Sequence, residues 1–137
     1  MSLQAHFENL GAPLRNSRWS WGSVRQDGKV VLRVWACSWD SQDRVFQVMY
    51  PDLENASPGY DERMEHLNLI RNGSGYILIL VRENENYDPE RGGNLLGSYD
   101  RKTVFVGTEW LEGGDQEFYL KPSGRRPVHE FFRWNQE

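Results

Sequence analysis

The chain has 137 residues, 38% hydrophobic and 13% aromatic, with a formal net charge of −4. A chain of that length buries a core without staples, and its mild acidity excludes a strongly basic, phosphate-driven nucleic-acid binder. No apolar run approaches the length of a membrane helix, and the start, MSLQAHFENL, lacks a signal-peptide pattern.

The single Cys37 can form no internal disulfide, which leads to the expectation of a cytoplasmic protein. The charge is uneven. Residues 51–97 carry nine acidic against four basic residues, whereas residues 1–50 carry six basic against four acidic. Two basic clusters remain able to meet a phosphate: Arg15, Arg18, Arg25, Lys29 and Arg33, then Lys121, Arg125 and Arg126.

In chain order, Ser2 to Gly11 predicts a short helix. Ser2 caps it, Leu3, Phe7 and Leu10 form its apolar stripe, and Gly11 and Pro13 stop it. Asp27-Gly28 between two β-rich runs predicts a hairpin. With a two-residue turn, Trp19, Trp21, Val30, Leu32 and Val34 share an apolar core face. Ser20, Gly22, Val24, Val31, Arg33 and Trp35 share a mixed one.

A third strand spans residues 45–50, and a helix spans 57–73 with Tyr60, Met64, Leu67 and Ile70 buried. The apolar run 76–82 predicts a central strand. A long polar loop covers 83–97, and further strands fall near 101–107, 117–121 and 127–134. The order predicts a single α+β domain over 1–137, with two helices and a strongly curved, mainly antiparallel sheet, open or closed into a partial, PUA-like barrel.

His6, His66, His129 and Cys37 stand in different segments with no metal-ligand spacing, so neither metal nor cofactor is expected. Cys37 reads as a small buried hydrophobe. No GxSxG, Walker or GxGxxG pattern is present. Glu117, Tyr119 and Lys121 share a strand face and offer residue types of a metal-dependent nuclease, but three residues separate Glu117 from Lys121 where a nuclease pair is usually split by one.

The aromatics are the better lead, because a planar group is held by stacking on Trp or Tyr while polar neighbours read its edge. The candidates are Trp35 and Trp39 with Arg33, Arg18, Arg15, Asn16 and Ser20. The loop adds Asp88, Arg91 and Asn94, next to paired glycines that permit close backbone approach. Trp19 and Trp21 read as core.

The stretch Phe7 to Gly22, FENLGAPLRNSRWSWG, followed by Val31-Leu32-Arg33-Val34-Trp35, resembles small uncharacterised bacterial proteins and N-terminal modules attached to HNH-type restriction endonucleases. The resemblance covers about the first forty residues and, loosely, Gly59 to Val81. It implies a role beside bacterial DNA metabolism or defence, such as sensing modified DNA. The HNH signature is absent, so it does not imply cleavage.

The resulting expectation is a non-enzymatic module that binds nucleic acid or a modified nucleobase through an aromatic and arginine face. A protein-interaction or regulatory subunit, with a larger nuclease or other protein as partner, is the alternative. A small nuclease or hydrolase is third, and no membrane partner is expected.

Overall fold

The structure, a computed structural model, describes residues 2–16, 19–49, 58–88, 90–91, 96–114 and 117–132. Helix α1 (Leu3–Asn9) starts where expected, with the Ser2 hydroxyl accepting from the Ala5 amide at 3.1 Å. Gly11, at φ 76°, turns the chain out of it.

Strands β1 (Gly22–Val24) and β2 (Val30–Trp35) form the predicted hairpin in a different register. Gly22 faces Leu32 and Val24 faces Val30. The loop has three residues because Gly28 adopts φ 90° and the Arg25 amide donates to the Lys29 carbonyl. That one-residue shift exchanges the faces of the first strand relative to the second. Val30, Leu32 and Val34 are core as expected. Trp19 and Trp21 are not: both are half-buried, and they lie before β1 against Gly59.

A single 3-10 turn (Ala36–Ser38) leads to β3 (Trp39–Asp40) and β4 (Val45–Met49). Helix α2 (Pro58–Arg71) follows, with a proline in its first turn and Gly73 at φ 111° past its end. Leu67 and Ile70 are buried, while Tyr60 and Met64 pack partly buried beside them. Then come β5 (Tyr76–Glu83), β6 (Leu96–Tyr99), β7 (Thr103–Gly107), β8 (Glu109–Glu112), β9 (Phe118–Lys121) and β10 (Gly124–Pro127).

No strand runs on from Pro127. Proline has no N–H for the ladder, and a 3-10 turn takes Val128–Phe131; Arg133 and Trp134 lie outside the described residues.

The fold is α+β, but the strands divide into two sheets and no barrel closes. The first has the order β1-β2-β5-β7-β10, with β6 paired to the far end of β5; the second has β3-β4-β9-β8. β2 and β5 are parallel, joined by the crossover through β3, β4 and α2, and all other pairs are antiparallel.

The run 76–82 is central, as its continuous apolarity predicts, because both its faces are covered. One face packs on the second sheet and α2 through Leu32, Val34, Phe46, Leu67, Leu78 and Leu120. The other packs on α1 and the C-terminal turn through Phe7, Leu10, Val31, Ile77, Ile79 and Val128. His6 is fully buried, with its ring 5.1 Å from that of Tyr99; burial pulls its pKa down.

Arg63 fixes α2 to the edge that β2 leaves bare. Its Nε donates to the Val48 carbonyl at 3.2 Å, and both Nη atoms donate to the Arg33 carbonyl at 3.3 and 3.4 Å. Among the described residues no helix is long and apolar enough to cross a membrane.

Candidate functional site

Where the chain leaves the first sheet for the second, an open groove of about 730 Å³ is lined by both candidate tryptophans, Trp35 and Trp39. The remaining lining residues are Cys37, Ser38, Asp40, Ser41, Gln47 and Glu83. A smaller depression of about 380 Å³ shares Trp35, Cys37 and Glu83 with it.

Trp39 is 36% exposed, and its packing explains why so large a ring holds still there. It stacks on Phe105, centroids 5.8 Å apart and planes 26° apart, and leans on Phe46 at 4.7 Å. Phe105 meets Phe46 edge-on at 5.1 Å and carries the Arg125 guanidinium 4.7 Å from its centroid. Arg125 is held in turn by Asp100 at 2.9 Å. Trp39 is therefore a wall braced from behind, and its uncovered side belongs to the groove.

Trp35 packs partly buried on the core beneath α1. The Arg33 guanidinium lies 6.0 Å from its ring centroid. Arg33 is half-buried, and burial lowers its pKa. It supports Trp35 and does not line the groove.

Among the described residues the groove carries two carboxylates and no basic residue. Asp40 Oδ1 accepts from the amides of Gln42 and Asp43 at 2.9 and 3.1 Å, which leaves Oδ2 outside those bonds. Glu83 Oε1 lies 3.9 Å from the Cys37 Sγ. Cys37 is exposed on the groove wall, contrary to the expectation of a buried residue. A 3-10 turn displaces it from the strand alternation that would have turned it inward.

No family model, curated protein or solved structure matches the chain. The reading of the site rests on its own chemistry.

The other candidates go elsewhere. Arg15, Asn16 and Ser20 gather at α2 rather than at the groove. The Ser20 hydroxyl accepts from the Asn16 amide at 3.0 Å and donates to Glu62 Oε2 at 3.2 Å. Glu62 and His66, one turn apart on α2, are both buried, and Glu62 Oε1 and His66 Nδ1 find no hydrogen-bond partner among the described residues.

Burial raises the Glu62 pKa, against the opposing pull of Ser20 and Arg15. Burial, with the charges of Arg63 and Arg15, takes His66 down to about 4. The Ser20–Glu62 bond ties the Trp19–Trp21 segment to α2, and Arg15 stands exposed near it. Arg18 and Asn94 lie outside the described residues. Asp88 and Arg91 close a turn on each other: the Asp88 carboxylate accepts from the Glu90 amide at 2.9 Å and pairs with Arg91 at 3.7 Å.

Of the nuclease candidates, Tyr119 and Lys121 lie on the outer face of the second sheet. Glu117 accepts from the Tyr119 hydroxyl at 3.2 Å and from the Gly114 amide at 3.3 Å. Among the described residues no group of three or more potential metal ligands occurs.

Sequence reasoning missed Gln47 and Glu83, and it passed over Asp40 beside Trp39. A polar residue inside Val45-Phe46-Gln47-Val48-Met49 was a usable signal for the first. For Glu83 none existed, because only the parallel register that sets Trp35 opposite Val81 brings the end of β5 beside the groove.

Proposed function

We propose that this protein is a non-enzymatic recognition module that takes a nucleobase in the Trp35–Trp39 groove. The observation that carries the reading is a braced, partly exposed indole on the wall of a concavity whose charged groups are both carboxylates. A flat heterocycle gains about 1–3 kcal/mol by stacking on such a ring. Its exocyclic amines and ring N–H groups are donors, which Asp40 Oδ2, Glu83 and the Gln47 carbonyl oxygen can accept.

The same carboxylates repel phosphate, so the base enters the groove and the backbone stays outside it. Arg33 serves this reading by supporting Trp35 and not by touching phosphate. The N-terminal resemblance adds the setting, recognition of modified or exposed bases beside bacterial DNA metabolism or defence.

The test is a titration followed by intrinsic tryptophan fluorescence. The panel holds the common nucleosides, their base-methylated forms, and short single- and double-stranded DNA and RNA. Saturable quenching by one base class, stronger for single than for double strands and weakened in Asp40→Asn and Glu83→Gln, is the expected result. Silence across the whole panel would sink the proposal and leave the aromatic wall as a surface for another protein.

A further inference from the structure

Asp40 also borders a second depression of about 430 Å³, at the β3–β4 turn. Its other walls include Arg44, Val45, Leu111, Tyr119 and Lys121. The strand register explains why the two lie side by side. Asp40 faces Val45, Gln47 faces Tyr119, and Leu111 faces Tyr119. Residues directly opposite share a face, so Asp40, Gln47, Tyr119, Lys121 and Leu111 line one outer surface of the second sheet. Gln47 belongs to the tryptophan groove and its partner Tyr119 to the second depression.

The charge changes across this surface. Among the described residues the tryptophan groove has no basic residue, and the second depression has Arg44 and Lys121. Many other cations are engaged: Arg25 and Lys29 with Asp27, Arg71 with Glu112, Arg91 with Asp88, Arg125 with Asp100, and Arg126 with Glu130. Neither Arg44 nor Lys121 is in these pairs. The acids facing them are Asp40, Asp43 and the cross-strand Glu109, and Asp40 already accepts two amides of the turn.

Arg44 is also the one non-glycine among the described residues in the left-handed region, at φ 57°. Glycine or asparagine suits that position better. An arginine there is a departure from turn chemistry that a role for its side chain explains.

From this we infer that the ligand is a phosphorylated nucleoside, its base in the tryptophan groove and its phosphate across the Asp40 turn on Arg44 and Lys121. The inference rests on the groove reading and goes beyond it by placing the phosphate on Arg44, which the sequence did not single out, and on Lys121 of the second basic cluster. A free mononucleotide and one unit of a single strand share this chemistry. In a strand, Tyr119 and Leu111 offer the next base a partly exposed platform. Strands lie about 4.8 Å apart, so the outer surface from β3 to β9 spans about 10 Å.

The experiment compares each nucleoside, its 5′-monophosphate and a short single-stranded DNA by tryptophan fluorescence at low and high salt. The proteins are the full chain, Arg44→Gly and Lys121→Gln, with thermal melts confirming that each folds. The monophosphate is expected to bind about tenfold tighter than its nucleoside at low salt, the size of one charge-assisted contact. Each variant should lose part of that gain and keep the nucleoside affinity.

A strand held tighter than the mononucleotide, with a log–log salt slope that falls by about 0.7 for each variant, assigns the phosphate to nucleic acid. Equal affinity with no such slope assigns it to a free nucleotide. Nucleoside binding with no phosphate gain overturns this inference and spares the groove. A loss of nucleoside affinity in the variants overturns it as well. Absence of any nucleoside binding overturns the groove reading itself.

Discussion

Replacing Trp39 with alanine tests the braced wall and the ligand reading separately. Truncating a fully buried aromatic costs about 3–5 kcal/mol. Trp39 keeps 36% of its surface exposed and gives up its ring contacts with Phe46 and Phe105, so about 2–3 kcal/mol is expected. Unfolding entropy of about 2.1 cal/mol/K per residue converts that to a fall in Tm of about 7–10 °C.

Because the stacking contribution is about 1–3 kcal/mol, affinity for the nucleobase should fall roughly 5- to 150-fold in the same variant. The assays are thermal and urea melts, then a nucleoside titration at a temperature where the variant is fully folded. Trp35 and the other tryptophans still report. An unchanged Tm would refute the stacking on Phe105. A loss above about 4 kcal/mol would mean that Trp39 is core and no wall. Undiminished affinity with the expected Tm shift would remove Trp39 from the binding site.

His66 makes stability depend on pH. Its folded pKa of about 4 lies below the ordinary 6.5, so the folded state resists the proton. Stability present above pH 6.5 is lost as pH falls toward 4, by about 2–3 kcal/mol at pH 4.5. Glu62 acts with the opposite sign, since its raised pKa favours the folded state as pH drops. It remains in His66→Asn, so the difference between urea melts of the two proteins at pH 7.5 and 4.5 isolates the histidine; parallel profiles would contradict the burial argument.

Gly59→Ala puts a Cβ 2.8 Å from the Trp19 carbonyl oxygen and from the Trp21 ring. It should destabilise by about 1–3 kcal/mol, although alanine is the better helix former. A stabilised variant in chemical melts would show that the Trp19–Trp21 segment does not rest on α2. Arg44→Gly relieves a left-handed arginine and should raise stability by up to about 1 kcal/mol; a clear loss in the melt would mean that the Arg44 side chain holds the turn.

Several elements were legible because their signals are local. Ser2 beside a helical stripe, Pro58 and Gly73 around α2, and Asp27-Gly28 between β runs each specify backbone geometry within a few residues. The unbroken apolar run at β5 announced a strand covered on both faces. The hairpin register was not legible at the same level. Whether Gly28 closes a two- or a three-residue loop depends on the whole ladder, and one residue of slip moved Trp19 and Trp21 out of the core. Trp39 was legible as the aromatic whose polar turn sets it apart. Its partner Phe105 lies more than sixty residues away, and no local pattern links them.

The amino-acid sequence by itself determined the α+β class, the two helices, most strands and the pair of tryptophans that deserves testing, because propensity, capping and hydrophobic period act over a few residues. Only the tertiary structure decided that the strands divide into two sheets and that Trp35 and Trp39 share one groove. It also decided that the groove is lined by Asp40 and Glu83, and that Arg33 backs Trp35 without lining the groove. The physical reason is the parallel pairing of β2 with β5 through a crossover of about forty residues. Pairing at that separation is set by how two cores fill on opposite faces of one sheet, and no short window of sequence contains it.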